Sequence, residues 1–369
     1  MELSDALAVV SAMSNADDRA AKRALRGRSI PLWRKLLWAS LALGIALFVW
    51  RAYTQMIDMP GTSFAGAAPP LSAADRALAL RLERHVRVLA TEIGGRSTRV
   101  PAGLERAADY VDAQLHAAGY VVQRETYDVR GVRCANLVVE RLGTVTPDEI
   151  VVVGAHYDSF LDRPAANDNA SGTAAMIELA RIYATRPGPR TVRFVAFTNE
   201  EPPHFHQASM GSLVNARRAR SRGDDVVAMM SLETIGYFDA RAGSQHYPFP
   251  LSVFYPDRGD FIGFVSRVED RALVRRTIRT FRARATLPSE GAALSYATGV
   301  DFSDHWSFWK AGYPALMVTD SAFFRDDSYH TPRDTPEHLD YTAVTRVVRG
   351  LVHVVDDWQR APRAALATE

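Results

Sequence analysis

Histidine and carboxylate side chains recur at the ends of apolar runs in this sequence. The runs are IVVVGA, RFVAF and AMMSL, and two polar loops, AANDNASG and DDSYHTPRDT, carry further groups of the same kind. The set comprises His156, Asp158, Asp168, Glu200, Glu201, Glu233 and His330. Because ligands of open α/β sheets bind at the carboxyl ends of the strands, we expect these side chains to converge at one sheet edge.

A cluster of this composition requires positive charge. Each motif alone is typical of a surface turn or a solvated helix start, but carboxylates crowded together repel one another and lose hydration unless a cation neutralises them. Imidazole nitrogen with carboxylate oxygen, and no thiolate, suits zinc, and manganese or cobalt also fits. The sequence therefore predicts a pair of divalent ions, which lie about 3.5 to 4 Å apart in co-catalytic sites.

Alternating strands and helices must position these groups. Strand patterns cover residues 120–129, 134–142, 149–159, 191–198, 226–233 and 314–319. Helical spacing covers residues 71–93, 102–116, 172–184, 211–220, 267–282 and 342–359. The apolar run IVVV predicts a strand buried on both faces. This alternation indicates an α/β layered domain.

Composition excludes several classes of protein. Hydrophobic residues make up 47% of the 369 residues and charged residues 23%, which excludes disordered and polytopic membrane chains. The 44 basic and 42 acidic residues are interspersed, so the basic stripe typical of nucleic-acid binding is missing and no nucleic-acid partner is expected. Cys134 is the single cysteine, so no intrachain disulfide can form, and we expect it to be a small buried residue.

An apolar segment near the N-terminus determines the expected compartment. Residues 36–50 carry no charge, and with their aromatic flanks they predict a transmembrane helix at 30–53. Six basic residues between positions 22 and 35 place the cytoplasmic tail at 1–29. The expected location is a bacterial inner membrane with one span and a periplasmic catalytic domain. The remaining boundaries are a linker at 54–70 and a catalytic domain at 71–369.

Two other interpretations of this segment stay open. A cleaved signal peptide would use Ala65-Gly66-Ala67 as its cleavage site, although that site lies far beyond the apolar run. A buried core helix would have to dock between a basic stretch and the Gly/Ala/Pro-rich GTSFAGAAPP. That stretch favours a tether that buries little surface.

Six motifs resemble those of the co-catalytic dizinc aminopeptidases, metallopeptidase family twenty-eight. They are GAHYDS, NDNASG, TNEE, SLETIGY, SDHWSFWKAGYP and YHTPRDT, in the same order, and the resemblance covers roughly residues 71–358. It implies a three-layer phosphorylase/hydrolase-like domain whose central mixed, mostly parallel sheet is flanked by helices. It also implies two Zn²⁺ per chain, with Mn²⁺ or Co²⁺ as substitutes.

The resemblance also implies a role for each residue. Asp168 would bridge the ions, His156 and Glu233 would complete one site, and Glu201 and His330 the other. Glu200 would be the general base, and Asp158 would hydrogen-bond His156 and fix its tautomer. Two dications with three carboxylate ligands leave a positive site that activates hydroxide near neutral pH, and Glu200 would pass the proton of water to the departing amine.

Several neighbouring residues lie outside the implied ligand set. Tyr329 is either a donor to the tetrahedral oxyanion or a buried structural hydroxyl. Glu233 replaces the aspartate of many family members and is one methylene longer. Asp304 is expected in the polar shell of the site and His305 in a structural role. The two histidines of PPHFH, His204 and His206, are expected to be rim residues, and the aromatic stretch 237–261 either walls the substrate cleft or packs.

The favoured function is a membrane-anchored zinc exopeptidase that removes N-terminal residues from peptide substrates. The first alternative is a single-zinc acyltransferase like glutaminyl cyclase, which shares HYDS, a paired Glu-Glu and a DH motif. The second is a catalytically inactive peptidase-fold binding domain. The sequence leaves open the preferred residue, the distinction from carboxypeptidase or dipeptidase, the native metal, cleavage of the N-terminal helix and the oligomeric state.

Overall fold

A computed structural model describes Arg19 and residues 31–367. The predicted cytoplasmic tail, residues 1–29, lies outside the described residues apart from Arg19. The chain divides into two compact units, Met1–Tyr53 and Thr54–Glu369.

The second unit is built around a mixed eight-stranded sheet with the strand order β1-β2-β4-β3-β5-β8-β6-β7. Strands β4, β3, β5 and β8 are mutually parallel neighbours, and β6 is parallel to β7. The pairs β1–β2, β2–β4 and β6–β8 are antiparallel. The strands are β1 Gln123–Val129, β2 Val132–Arg141, β3 Thr146–His156, β4 Arg190–Phe197, β5 Asp225–Glu233, β6 Ile262–Ser266, β7 Ser289–Ala293 and β8 Ala315–Thr319.

Helices cover both faces of the sheet. The described helices are α1 Leu32–Met56, α2 Ala73–Arg87, α3 Pro101–Ala117, α4 Gly172–Ala184, α5 Gly211–Arg222, α6 Arg271–Arg282, α7 His305–Lys310, α8 Tyr341–Arg360 and α9 Ala364–Ala367. The larger apolar core joins one sheet face to α2, α3, α4, α6 and α8, and a smaller core joins the other face to α5 and α7. These layers confirm the predicted three-layer α/β architecture.

The apolar run IVVV lies in the central strand β3, which is buried on both faces. Val151 and Val153 point into the larger core, whereas Ile150 and Val152 point into the smaller one. Successive side chains of a strand alternate between its two faces, so a strand covered by helices on both sides must be apolar throughout. The burial of IVVV on both faces is confirmed.

Among the described elements that were not predicted from the sequence are β6, β7 and α7. Each is short, with five or six residues, and β7 has the sequence SEGAA, which lacks the β-branched and aromatic residues typical of strands. Pairing of β6 with β8 and of β7 with β6 creates these strands. Such contacts join residues far apart in the chain, so local periodicity does not reveal them.

The α1 helix has 25 residues, so it is roughly 37 Å long and exceeds a bilayer core of about 30 Å. It ends three residues beyond the predicted span, at Met56, and none of its residues is buried. Length and composition permit a membrane span, and a signal sequence near the N-terminus has the same properties.

The residues after α1 make contacts that the sequence does not predict. Met59 is buried in the larger core. The Arg282 guanidinium donates to the carbonyl oxygens of Met59 and Gly61, at 2.9 and 3.1 Å. Arg275 donates to the carbonyl of Asp58 at 2.8 Å. This part of the predicted linker therefore lies fixed against α6.

Replacing Gly350 of α8 by alanine should destabilise the domain. Alanine normally favours a helix by about 1 kcal/mol relative to glycine. Here the new Cβ would lie 2.2 Å from Cε2 of Phe281, so α8 and α6 would have to separate. We expect a loss of about 1 to 3 kcal/mol in the free energy of unfolding, measured by urea denaturation. An equally or more stable Gly350→Ala protein would contradict this packing.

Candidate metal centre

The carboxyl ends of three adjacent parallel strands carry most of the site. His156 is the last residue of β3, and Glu233 is the last residue of β5. Glu200 and Glu201 follow β4, which ends at Phe197. Since β4, β3 and β5 run in the same direction side by side, these residues meet at one sheet edge.

Two loops bring the remaining members to this edge. Asp168 lies in the segment Ala166–Ser171, directly before α4, and His330 lies in the loop after β8. Backbone N–H groups of Asn167 and Asp168 donate to the Asp334 carboxylate at 2.7 and 3.1 Å. Asp334 thereby holds the Asp168 loop beside the loop that contains His330.

The side chains form two groups that share one residue. In the first group, Nε2 of His156 lies 3.3 Å from Oδ1 of Asp168 and 3.2 Å from Oε2 of Glu233. In the second, Nε2 of His330 lies 3.0 Å from Oδ2 of Asp168 and 3.2 Å from Oε2 of Glu201. Within each group the candidate ligand atoms lie within 4.8 Å of one another. The structure thus brings all five predicted ligands together.

The donor atoms fit a pair of cations. Both carboxylate oxygens of Asp168 and Nε2 of His330 are buried without a hydrogen-bond donor or acceptor partner. An unsatisfied buried polar atom costs about 1 to 3 kcal/mol, more for a charged group. A cation on each side of Asp168 would satisfy these atoms, and nitrogen with oxygen ligands is a set that zinc accepts. Ion binding by these residues stays a prediction.

Burial and mutual repulsion shape the charge of the cluster. Burial, together with the Asp168 charge, raises the pKa of Glu201 to about 8. Burial opposes ionisation of Asp168 too, but the nearby imidazoles of His156 and His330 favour its charged form more strongly and hold its pKa well below the usual range. Without a cation, some of these acids therefore retain their protons, and a bound cation would displace those protons.

Glu200 stands beside both groups without belonging to either. Its Oε2 atom lies 3.9 Å from Nε2 of His156, and the side chain is almost fully buried. Burial first, and then the neighbouring carboxylates, raise the pKa of Glu200 well above its usual value. A carboxylate whose proton affinity is increased in this way suits general acid–base work.

Asp158 connects the general-base candidate with the ligands. Its Oδ1 accepts the Glu200 N–H at 3.1 Å, and its Oδ2 accepts the Glu201 N–H at 3.2 Å. The same carboxylate lies 3.4 Å from Nδ1 of His156. One aspartate therefore orients the chain after β4 and faces the histidine at the end of β3, as expected for a residue that supports ligands.

Three positions at or next to site residues have a left-handed backbone conformation. Asn199, Thr234 and His330 have φ values of 56°, 44° and 59°. Such conformations cost about 1 to 3 kcal/mol and concentrate at functional sites. Hydrogen bonds compensate at Thr234, whose N–H donates to Asn169 Oδ1 and whose carbonyl accepts the Asp320 N–H at 2.7 Å.

The aromatic ring of Tyr329 stacks on His330, with ring centroids 3.9 Å apart. Burial raises the pKa of the Tyr329 hydroxyl well above its usual value, so the hydroxyl keeps its proton at neutral pH. On its other side, His330 stacks on Phe160 at 4.2 Å. Tyr329 thus lies beside a candidate ligand as a potential hydrogen-bond donor, and both of its predicted roles stay open.

Sequence reasoning missed Arg96, which is fully buried behind the site. Its guanidinium donates only to backbone carbonyls, at 2.7 to 3.0 Å, and these belong to Leu89, Gly94, Tyr157, Pro164 and Ala165. Burial lowers the pKa of Arg96 to about 10, so it stays charged at neutral pH. The residue lies in no recognised motif, and its partners are carbonyls, which carry no sequence signal.

Other predicted neighbours also have defined places. His204 lies 2.9 Å from Thr98 Oγ1, and His206 stacks on Trp306 with ring centroids 3.9 Å apart, so neither histidine joins the candidate ligands. Nε2 of His305 lies 2.7 Å from the Val300 carbonyl oxygen, in a fully buried position.

Asp304 and Ser303 lie on the Glu233 side of the site. Asp304 is fully buried, and burial raises its pKa to about 7. Its charge in turn raises the pKa of Glu200, which agrees with a place in the polar surroundings of the site. Ser303, which the sequence did not single out, donates to Oε2 of Glu233 at 2.7 Å and orients that longer side chain.

Sequence comparisons connect this site with known proteins. The family described as Peptidase family M28 matches residues 136–355. The uncharacterized protein YfbL of Escherichia coli (strain K12) is 37% identical over 287 residues, 74% of this chain and 86% of YfbL. A probable zinc metalloprotease of Pyricularia oryzae is 29% identical over 263 residues, 62% of this chain. The match spans only 50% of the length of that fungal protein.

Solved structures share the fold at low sequence identity. A zinc aminopeptidase of Bacillus subtilis, BSAP, has a TM-score of 0.61 at 13% identity, covering 79% of this chain and 98% of its own. A glutaminyl cyclase of Fimbriiglobus ruber has a TM-score of 0.57 at 19% identity, covering 79% of this chain and 97% of its own. These likenesses confirm the predicted fold class and carry no information on the reaction.

Replacing Arg96 should loosen zinc binding without touching a ligand. Arg96→Met would leave the carbonyls around Tyr157 and Ala165 without donors, and Arg96→Lys would keep the charge but offer fewer donors. Since the partners that orient ligands typically contribute 10- to 100-fold to metal affinity, we expect a loss of roughly that size for methionine and a smaller one for lysine. Chelator competition measures the affinity, with circular dichroism as the control for folding. Folded variants with unchanged zinc affinity would refute this role.

Proposed function

This chain belongs to peptidase family M28, and from that premise we propose that it is an aminopeptidase that uses two zinc ions. Family membership and the matching zinc metalloproteases make it a zinc metallopeptidase. The number of ions, the general base and the attack at the N-terminus of the substrate are our proposals. The observation that carries them is the pair of ligand groups that share the two oxygens of Asp168.

The reaction we propose is the hydrolysis of the first peptide bond. Zinc at the two groups would supply polarisation of the scissile carbonyl and acidification of water. Glu200 takes a proton from the attacking water and delivers it to the amine nitrogen as the carbon–nitrogen bond breaks. Its burial supports this role because it raises the pKa of Glu200 well above the usual value, which makes the carboxylate a stronger proton acceptor. The products are a free amino acid and a peptide one residue shorter.

A cavity beside the site supports recognition of an apolar first residue. It has a volume of about 120 Å³ and borders the candidate ligand Glu233 and Tyr329. Its walls are mostly aromatic and aliphatic and include Leu251, Tyr255, Phe302, Met317, Phe323 and Phe324. Part of the aromatic stretch 237–261 therefore walls the cavity, in agreement with one of its two predicted roles.

The alternatives receive weaker support. A single-zinc cyclase would need only one complete ligand group, whereas this chain has two. An inactive binding domain would need neither the complete ligand set nor a buried carboxylate beside it.

We further propose that α1 anchors the enzyme in a bacterial inner membrane. The basic residues before α1 support a cytoplasmic N-terminus and a periplasmic catalytic domain. The length of α1 and the absence of buried residues in it agree with a span.

The full chain, purified in detergent, should bind two zinc ions and hydrolyse leucyl anilides. Chelation should abolish hydrolysis, and zinc or cobalt should restore it. Glu200→Gln should still bind two ions but lose roughly 10²- to 10⁴-fold in kcat, because the proton acceptor is removed. Elemental analysis and steady-state kinetics test this. One ion per chain, with cyclisation of glutaminyl peptides in place of hydrolysis, would favour the cyclase.

Filling the cavity should change the preferred first residue. Ala292 is a buried member of its wall, and Ala292→Trp would occupy the space that a large side chain needs. We expect kcat/KM for phenylalanyl anilide to fall by at least about tenfold relative to alanyl anilide, which serves as the matched control. Equal losses with both substrates would exclude this cavity as the binding place of the first side chain.

A further inference from the structure

Residues 247–256, with the sequence YPFPLSVFYP, form a loop without any charged residue, here named the apolar loop. Some of its side chains face the cavity and others face solvent. Tyr247, Leu251 and Tyr255 line the cavity beside the metal centre. Phe249 and Val253, by contrast, are 89% and 73% exposed. An exposed apolar cluster of this kind marks a contact surface more often than single exposed residues do.

Hydrogen bonding and packing fix the apolar loop beside the segment that follows α1. The hydroxyl of Tyr255 donates to the Gly291 carbonyl at 2.7 Å. On the same glycine, an added Cβ would lie 3.0 Å from Cγ of Met59, so the Met59 side chain packs directly against Gly291. Arg282 holds Met59 in place through its carbonyl. Tyr255 and Met59 are therefore neighbours of one residue in β7.

The number of intervening residues limits the distance between Met59 and the end of α1. The helix ends at Met56, only three residues before Met59. Three residues span at most about 10 Å. In a chain anchored by α1, Met59 and its neighbour Tyr255 in the apolar loop are therefore separated from the bilayer by only a short stretch of chain.

We propose that the apolar loop inserts Phe249 and Val253 into the surface of the lipid bilayer that α1 spans. The proposal rests on the anchoring part of the proposed function. A lipid surface is the partner that fits, because the loop is uncharged, aromatic and tied within a few residues to a spanning helix. Its opposite side walls the cavity, so the membrane would hold one wall of the substrate site.

A lipid-phase quencher tests the contact in the full chain. Phe249→Cys, in a Cys134→Ala background, is labelled with the fluorophore NBD and reconstituted into phosphatidylethanolamine/phosphatidylglycerol nanodiscs. Some nanodiscs carry a nitroxide on the upper acyl chain of the lipid. We expect the label to lose most of its fluorescence in nitroxide nanodiscs. Val253→Cys is a second probe and should be quenched likewise, which guards against a local distortion at Phe249.

Val121 provides the matched control position. It is 92% exposed and lies two residues before β1, at the opposite edge of the sheet from β7. Seven strand spacings, roughly 33 Å, separate these edges. A Val121→Cys label should keep its fluorescence in nitroxide nanodiscs.

The possible outcomes separate this proposal from its premise. A chain that does not co-purify with lipid would refute both the anchor and the loop contact. A chain that does co-purify, but whose Phe249 and Val253 labels behave like the Val121 label, would refute the loop contact alone. Labels shielded from aqueous iodide but not quenched by lipid would indicate a protein partner and would also overturn the proposal. Hydrolysis of leucyl anilide by the same samples reports separately on the enzymatic proposal.

Discussion

The carboxylate of Asp168 is the constraint on which the rest of the site depends. Its two oxygens face two different histidines, at 3.3 and 3.0 Å, and neither has a hydrogen-bond donor. Around it, Glu200, Glu201 and Glu233 are removed from water and repel one another, so each resists ionisation. Such a concentration of buried acid is stable only with compensating charge. The site is therefore organised for cations before any substrate arrives.

The surrounding protein supports this concentration mainly through backbone groups. Asp158 and Asp334 each accept two N–H groups from segments that carry site residues. Arg96 has the complementary role, because it donates to the carbonyls of Tyr157 and Ala165, which follow β3, and brings one buried positive charge. Acids and an arginine that touch no substrate thus fix the direction in which the ligands point.

The cavity beside Glu233 lies between the metal centre and the segment that follows α1. Strands β6 and β7, together with the apolar loop, wall the cavity next to Glu233. The outer surface of that wall contacts Met59, just beyond α1. One layer of protein therefore separates the cavity from the segment that follows α1. Under the proposed membrane contact, this arrangement gives a physical route from the bilayer to the substrate site.

The sequence by itself determined the layered α/β class, the double burial of β3 and the residues that meet at the sheet edge. These features depend on local patterns: apolar runs, helical spacing, and acids or histidines placed where strands end. Tertiary structure alone decided that SEGAA pairs as β7, that Met59 packs in the core and that Arg96 supports the loops of the site. Those outcomes depend on contacts between residues distant in the chain and on backbone carbonyls, which are the same for every residue type and leave no trace in the sequence.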